Sequence, residues 1–331
     1  MAARALSDGE ARLLAQLPEN AQAAQALLRE RGLPGRRHEQ WKWSDLRAAF
    51  DENVQFAVRA EVDRPTAEQA AARGDFIAML AGAFGDTDSL KVGADERAVR
   101  VHRLRGGNLR PTALTVDLAP GAALTRVVIQ EGQSGVALDS VRVRLGAGAT
   151  YRQFILAEGG KLARLETHVD VAGEGARIEL GGVYLAGSGR HADLTSIITH
   201  NAEGCETRQL IKGAARKGGR GVFQGRIEVA RGAQKTDARQ HHQGLMLEDG
   251  AEIYAKPELE IYADDVQCAH GNTAGALDEA ALFYMRQRGI PEAQARAMLT
   301  EAFLLAAVPD DIPERDEIVA RIQAWLGGAH G

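Results

Sequence analysis

Five turns built from a glycine and a small residue punctuate the middle of the chain at nearly constant intervals. They are Gly121-Ala122, Gly148-Ala149, Gly175-Ala176, Gly204-Cys205 and Gly232-Ala233, so successive steps are 27, 27, 29 and 28 residues. A period of this length marks a repeat architecture, in which one unit is too small to bury its own apolar face and must stack on the next. The units are strand-like. Leu114–Leu118, Leu124–Gln130, Val141–Leu145, Tyr151–Leu156, Leu165–Val171 and Ile178–Leu185 are short, alternating and rich in β-branched residues, the pattern of half-buried strands. Two such segments fit in each period. The expected fold is mainly β, a β-solenoid (β-helix) whose coils bury their apolar residues on one another, with a sandwich as the alternative. The tighter period of a hexapeptide acyltransferase repeat is not seen.

The two ends of the chain change character. Residues 7–31 read as a helical hairpin, opened by Ser7 and Glu10 in capping-box spacing and stopped at Gly32. Trp41 and Trp43, two of the three tryptophans, lie in Glu39–Leu46 and are expected to dock this piece on the rest by packing. Residues 51–73 carry a weak, charged and alanine-rich pattern, expected as a loose connection with possible short helices. After His270 the period turns helical. A first helix has Asp278 and Glu279 in its opening turn and Arg286 and Arg288 near its end, followed by Gly289. Pro291 then opens a second helix, with Ala295, Met298, Leu299, Ala302, Phe303 and Ala306 on one apolar face. A third, about 313–326, aligns Ile318, Val319, Ile322, Trp325 and Leu326. The expected divisions are 1–97 for the N-terminal helical region and connection, 98–271 for the β-helix and 272–331 for the C-terminal helices.

Composition removes several function classes. With 331 residues and 45% of them hydrophobic the chain can bury a substantial core. A net charge of −5 argues against a main role in holding nucleic acid or an anionic membrane. No apolar run approaches the roughly 20 residues of a membrane span, and no signal-peptide pattern opens the chain, so a cytoplasmic protein is expected. Two cysteines, Cys205 and Cys268, exclude a disulfide framework and suit a reducing compartment.

The candidate chemistry lies in Cys268-Ala269-His270-Gly271-Asn272-Thr273, between the last alternating segment and the first C-terminal helix. In extended chain, residues i and i+2 share a face, so the Cys268 sulfur and a His270 nitrogen could serve one soft or borderline metal centre. Two ligands do not complete a site that ordinarily takes about four. The others must come from the fold or from another chain. Thiolate formation at Cys268 would need a lowered pKa, which a nearby positive charge or the following helix N-terminus could supply. His241 and His242 are adjacent and must face opposite ways on a strand; one of them is a further ligand candidate, across strands from His270. Cys205 and His200 read as packing residues, and the basic loop Lys212–Arg220 lacks a phosphate-binding pattern. No nucleotide-hydrolysing, nucleophile-elbow or zinc-protease motif occurs. A self-contained zinc-binding β protein and a β-helical carbohydrate-active enzyme are the competing readings.

Several stretches carry a resemblance. Lys256-Pro257-Glu258-Leu259-Glu260-Ile261, Asp264-Asp265-Val266, Cys268-Ala269-His270-Gly271-Asn272-Thr273 and Leu282-Phe283-Tyr284-Met285-Arg286-Gln287-Arg288-Gly289-Ile290 resemble the SufB/SufD family of iron–sulfur cluster assembly. The match covers about 256–308. Trp41-Lys42-Trp43-Ser44-Asp45-Leu46 is similar to the family's N-terminal Trp-Lys-aromatic-Thr-Asp-Leu pattern, with Ser44 in the threonine's place. The Cys-x-His-Gly pattern and the lack of a cysteine-rich N-terminus resemble the SufD branch. This implies a right-handed parallel β-helix flanked by α-helical termini. It also implies a non-catalytic scaffold with SufB and the SufC ATPase as partners, and a homodimer as a possible form in isolation. His270 and Cys268 would then hold iron or a transient iron–sulfur cluster shared with SufB, and Leu282, Phe283, Met298, Phe303 and Leu304 are candidates for docking SufC. A flavin is implied for the full complex alone.

Overall fold

A computed structural model of the protein describes residues 5–51, 54, 63–105, 109–132 and 135–328. Its centre is a β-solenoid of fourteen strands in two parallel sheets. One sheet runs β1 (Asp86–Val92), β3 (Thr112–Leu118), β5 (Val136–Leu145), β7 (Leu162–Val171), β9 (His191–His200), β11 (Arg220–Val229) and β13 (Glu252–Ile261). The other runs β2 (Arg97–Leu104), β4 (Ala123–Gln130), β6 (Thr150–Ala157), β8 (Arg177–Ala186), β10 (Glu206–Ala215), β12 (Asp237–Met246) and β14 (Gln267–Gly275). Consecutive strands alternate between sheets, so each coil adds one strand to each. The strands thus begin at Asp86 and end at Gly275 rather than at 98 and 271.

The repeat has a backbone cause. One corner of each of the first six coils holds a residue with positive φ, and these stack in a column along the solenoid: Asp95, Gly121, Gly148, Gly175, Gly204 and Lys235, at 59°, 71°, 63°, 67°, 69° and 61°. Glycine takes that conformation without a Cβ penalty. Each amide in the column bonds to the next coil, as Gly148 N does to Glu174 O at 2.8 Å and Gly204 N to Gln234 O at 2.9 Å. The last expected turn is displaced. Lys235, not Gly232, takes the left-handed position, because Glu206 pairs with Asp237 and the coil there is 31 residues long. The coils lengthen along the chain, from the Asp86–Thr112 pairing to Arg220–Glu252, a step of 26 growing to 32.

Inside the lumen, side chains of equal register stack in columns. Val116, Val143, Val169, Ile198, Ile227 and Leu259 form one such column, buried except at Leu259 at the end. Both outer faces are covered by helices. The N-terminal layer comprises α1 (Asp8–Gln16), α2 (Gln22–Glu30), α3 (Leu46–Asp51), α4 (Arg64–Arg73) and α5 (Phe76–Phe84). It packs on Val136, Leu138 and Leu162 of the odd-numbered sheet. Ser7 and Glu10 form the expected capping box of α1. Of the connection expected over 51–73, residues 52–53 and 55–62 lie outside the described residues, while α4 is a regular helix, capped by Asp63 on Thr66 N and ended by Gly74 at φ 73°. The docking role expected of the tryptophans is met. Trp41 is buried with the Arg164 guanidinium 3.8 Å from its ring, Trp43 stacks on Tyr254, and the Ser44 hydroxyl donates to Asp193.

On the other side, α6 (Glu279–Gln287), α7 (Glu292–Leu305) and α8 (Arg315–Gly327) follow the last strand. Leu304, Ile318, Ile322 and Leu326 pack on Val127, Ile129, Phe154, Val183 and Leu185 of the even-numbered sheet. Arginines of the solenoid reinforce that contact: Arg152 forks onto Asp311, and Arg103 reaches Glu314 and Glu317 at 2.7 and 2.8 Å. No helix among the described residues is long and apolar enough to cross a membrane.

Candidate ligand site at the open end of the solenoid

The chain leaves the solenoid through β13 and β14, each bonded to a neighbour on one side only. Pro257 fits β13 because proline, lacking an N–H, is tolerated in edge strands. β14 is poor in strand formers and is held extended by its ladder with β12, where Ala238 pairs with Cys268, Gln240 with His270 and His242 with Asn272. Those three β12 partners are buried in the lumen, so the same face of β14 carries Cys268, His270 and Asn272 toward the lumen's mouth. The shared face expected for Cys268 and His270 is therefore present.

Their environments differ. Cys268 ends a column of Leu124, Tyr151, Ile178, Thr207 and Ala238 and packs half-buried against the core. Partial desolvation pushes its thiol pKa up, the charge of Asp237 adds to that, and a hydrogen bond from the Ala238 backbone offsets part of it. The lowered pKa expected from a nearby positive charge or a following helix is not found: α6 starts at Glu279, and the charge that acts on the thiol, Asp237, is negative. Cys268 is a thiol until a metal or another electrophile displaces the proton. His270 is exposed, because no further coil covers it.

His241 and His242 do separate to opposite faces. His241 is exposed on the outer surface, facing a cleft shared with Arg152, Arg239 and Ala306–Pro309. Gly271 beside it leaves the imidazole room, since a Cβ there would lie 2.9 Å from His241 Nδ1. His242 lies in the lumen, stacked on Phe223 at 5.0 Å and Tyr184 at 5.8 Å. Its Nδ1–H donates to Asn272 Oδ1 at 2.6 Å and its Nε2 accepts the Tyr184 hydroxyl at 3.0 Å. Burial depresses its pKa to about 4. Both of its ring nitrogens are thus engaged, while His241 lies on the face opposite to His270. Cys205 and His200 are buried core residues, as expected.

The structure also shows a polar track that sequence reading missed. In register with His270, the lumen carries Arg126, Gln153, Leu180, Gln209 and Gln240. Arg126 donates to Asp139 at 2.7 Å and Gln153 at 2.9 Å, and Gln153 to Thr167 at 2.8 Å. Nearer the mouth, Gln209 Nε2 meets the Ser196 hydroxyl at 2.8 Å and Gln240 Nε2 donates to Gln209 Oε1 at 3.0 Å. Aligning the repeats on their glycines would have shown part of it, since Arg126, Gln153 and Gln209 each lie five residues after Gly121, Gly148 and Gly204, whereas Gln240 follows Lys235 and stays out of that alignment.

Among the described residues, the group of three potential metal ligands within 4.8 Å of one another is elsewhere: Asp75, Glu166 and His168, under α5. These are already engaged. Asp75 caps α5 and accepts from Ser140, and Glu166 accepts from Arg164 at 2.6 Å and meets His168 Nε2 at 3.2 Å. The deeply buried carboxylates Asp139, Glu166 and Asp193 are each held by an arginine. The residues expected to dock a partner divide. Leu282 and Leu304 are buried, 2% and 0% exposed, so they hold the helices in place, because the inward stripe of α7 runs through Ala295, Thr300 and Leu304. Phe283 and Met298 are exposed, and Phe303 is half-buried beneath the Lys212 ammonium.

Comparison with known proteins gives a family. Residues 90–303 match the family described as SUF system FeS cluster assembly, SufBD core domain. The chain is 37% identical over 187 residues to the iron–sulfur cluster assembly protein SufD of Escherichia coli, covering 55% of this chain and 44% of that protein. It is 31% identical over 242 residues to an iron–sulfur cluster assembly SufBD family protein of Mycobacterium tuberculosis, covering 69% and 60%. It is 33% identical over 168 residues to a SufBD family protein of Synechocystis, covering 51% and 37%. The chain thus spans between about a third and three-fifths of these curated relatives.

Proposed function

The chain belongs to the SufBD family of the SUF iron–sulfur cluster assembly system, and from that premise we propose that it is a non-catalytic, SufD-like scaffold subunit. It presents half of a ligand set at the open end of its solenoid and receives the other half from SufB. The observation that carries the reading is the register of β14, which sets an exposed imidazole and a half-buried thiol side by side at the mouth of the lumen. Iron, or the nascent cluster, is the substrate held there. His270 offers a nitrogen, and Cys268 a sulfur once a metal takes its proton. The unpaired edges of β13 and β14 suit addition of strands from a second solenoid: SufB in the working complex, or a second copy of this chain when SufB is absent.

The C-terminal helices dock the SufC ATPase through their exposed side chains, Phe283 and Met298 foremost, with Phe303 beside them. ATP-driven movement of SufC then strains the pairing of the two scaffolds and opens the ligand site. A flavin belongs to the full complex alone, and the setting is the cytoplasm. The test is anaerobic co-purification with SufB and SufC, followed by absorption spectra and iron and sulfide assays. His270→Ala is expected to leave the assembly intact and abolish cluster formation. An unchanged cluster yield would remove His270 from the mechanism.

A further inference from the structure

The polar track in the lumen ends on an unsatisfied atom. Gln240 is fully buried, and its Oε1 has no hydrogen-bond partner. A buried amide oxygen left unpaired carries the desolvation penalty of the group with nothing to offset it, so an orphan of this kind calls for a reason. The orientation of the amide follows from its other half. Gln240 Nε2 donates to Gln209 Oε1 at 3.0 Å, and the Ser196 hydroxyl lies 2.8 Å from Gln209 Nε2 and 3.2 Å from Gln209 Oε1. Turning the Gln240 amide over with Gln209 left as it is would set two acceptor oxygens against each other. Gly225 keeps the space for this arrangement, since a Cβ there would fall 1.7 Å from Gln240 Nε2.

Along the column, Gln240 has two in-register neighbours, Gln209 on one side and His270 on the other. The first is already bonded. We propose that Gln240 is a positioning residue for His270: its Oε1 accepts the N–H of one imidazole nitrogen, fixing the tautomer and leaving the opposite nitrogen as a free lone pair for a metal. This is the outer-shell device by which proteins commonly orient a metal-binding histidine. Here it is supplied through a line of amides anchored at Ser196, two coils deeper. The inference rests on the reading of His270 as a ligand only for its functional meaning; the bond itself is inferred from the orphaned acceptor, forms when the exposed His270 ring turns inward, and needs no partner chain.

The experiment is nitrogen-15 NMR of His270 in the full chain at about pH 8.5, where an ordinary imidazole is neutral. Gln240→Met keeps the shape and removes the acceptor, and is expected to shift the tautomer ratio roughly three- to ten-fold. Gln240→Glu, with Gln209 turning its amide to donate, restores it. If Gln240→Met fails to fold, the contrast between wild type and Gln240→Glu is replaced by Gln209→Leu, which frees the Gln240 amide to turn and should also scramble the tautomer. A ratio indifferent to these changes overturns the proposal. Ferrous iron titration of the assembly with SufB supplies a second readout, with affinity about 10- to 100-fold weaker in Gln240→Met and recovered in Gln240→Glu. Iron binding that needs His270 yet ignores Gln240 also overturns it. Iron binding indifferent to His270→Ala sinks the ligand reading instead, and leaves the tautomer result to decide the positioning on its own.

Discussion

Replacing Asp139 by leucine strands the Arg126 guanidinium inside the solenoid. Both side chains are almost fully enclosed, 1% and 2% exposed, and their N–O distance is 2.7 Å. Breaking a buried pair from one side costs about 3–5 kcal/mol, because the surviving charge stays desolvated. The two halves are not equivalent. Without Asp139, Arg126 keeps Gln153 at 2.9 Å, its Nε has no partner, and a guanidinium cannot shed its charge. Without Arg126, Asp139 keeps the Thr112 hydroxyl at 2.6 Å and His102 at 3.6 Å, and it can take up a proton. Asp139→Leu should therefore lie near the top of the range, about 4–5 kcal/mol, and Arg126→Met near the bottom, about 3 kcal/mol. The double variant, apolar and of similar volume, should return to within about 1 kcal/mol of wild type. Urea denaturation followed by far-UV circular dichroism and by tryptophan emission measures all four proteins and checks that solenoid and helical layers unfold together. Equal losses in the two single variants, or a double variant as unstable as their sum, would refute the reasoning.

Acid should act first through histidines that are buried neutral. Burial lowers the pKa of His200 and of His242 to about 4. Their contribution is fully present above the unfolded value near 6.5 and is lost as pH falls toward 4, amounting to about 2 kcal/mol per histidine by pH 5. His191, its pKa lowered to about 3 by burial and by the charges of Arg220 and Arg164, adds a similar loss. Urea midpoints at pH 7 and pH 5 should differ accordingly, and His200→Gln should remove about a third of the difference; a pH-independent midpoint contradicts this. Glu166, held near 2 against desolvation chiefly by Arg164, contributes stability above about 4.5 that is lost only below that window. Gly213→Ala should be severe, because a Cβ there would lie 2.0 Å from the buried ring of Tyr184. The overpacking penalty is about 1–3 kcal/mol or more, and a melting temperature within a degree of wild type would show that the ring can move aside.

The solenoid was legible because its corners depend on a property only glycine supplies cheaply, so the glycines of the corner column carry the period in plain view. Where another residue accepts the strained conformation the signal fails. Lys235 hid the lengthened coil, and Asp95, at the same corner, hid the first coil along with its charged strands. α5 was missed for a different reason: Phe76–Phe84 is buried on all sides, and a helix without a polar face has no periodicity to read. At the site, Cys268 and His270 could be paired because strand geometry fixes neighbours two apart. The roles of Gln240, Asn272 and Tyr184 depend on register across coils about 30 residues distant, and the raised thiol pKa on burial against the coil below, with a smaller contribution from the Asp237 charge that pairing brings close.

The two mouths of the lumen are built differently, which bears on how many partners the solenoid can take. The lumen column that ends at His270 begins at Arg100, and the facing column that ends at Pro257 begins at Asp88. At the N-terminal mouth Arg100 and Asp88 form an ion pair, roughly half-exposed. Any strand added there would have to bury those charges or break the pair, the kind of charged edge that resists association. At the C-terminal mouth the same two columns end in a proline and an imidazole, beside the exposed Ile261 and Tyr262. Two adhesive ends would propagate head to tail into an open filament, whereas one adhesive end closes after a single pairing. On the proposed pairing, this polarity limits the assembly to two solenoids joined at their C-terminal coils. It also brings His270 of this chain within reach of the partner's last coil, which is what a shared coordination sphere demands.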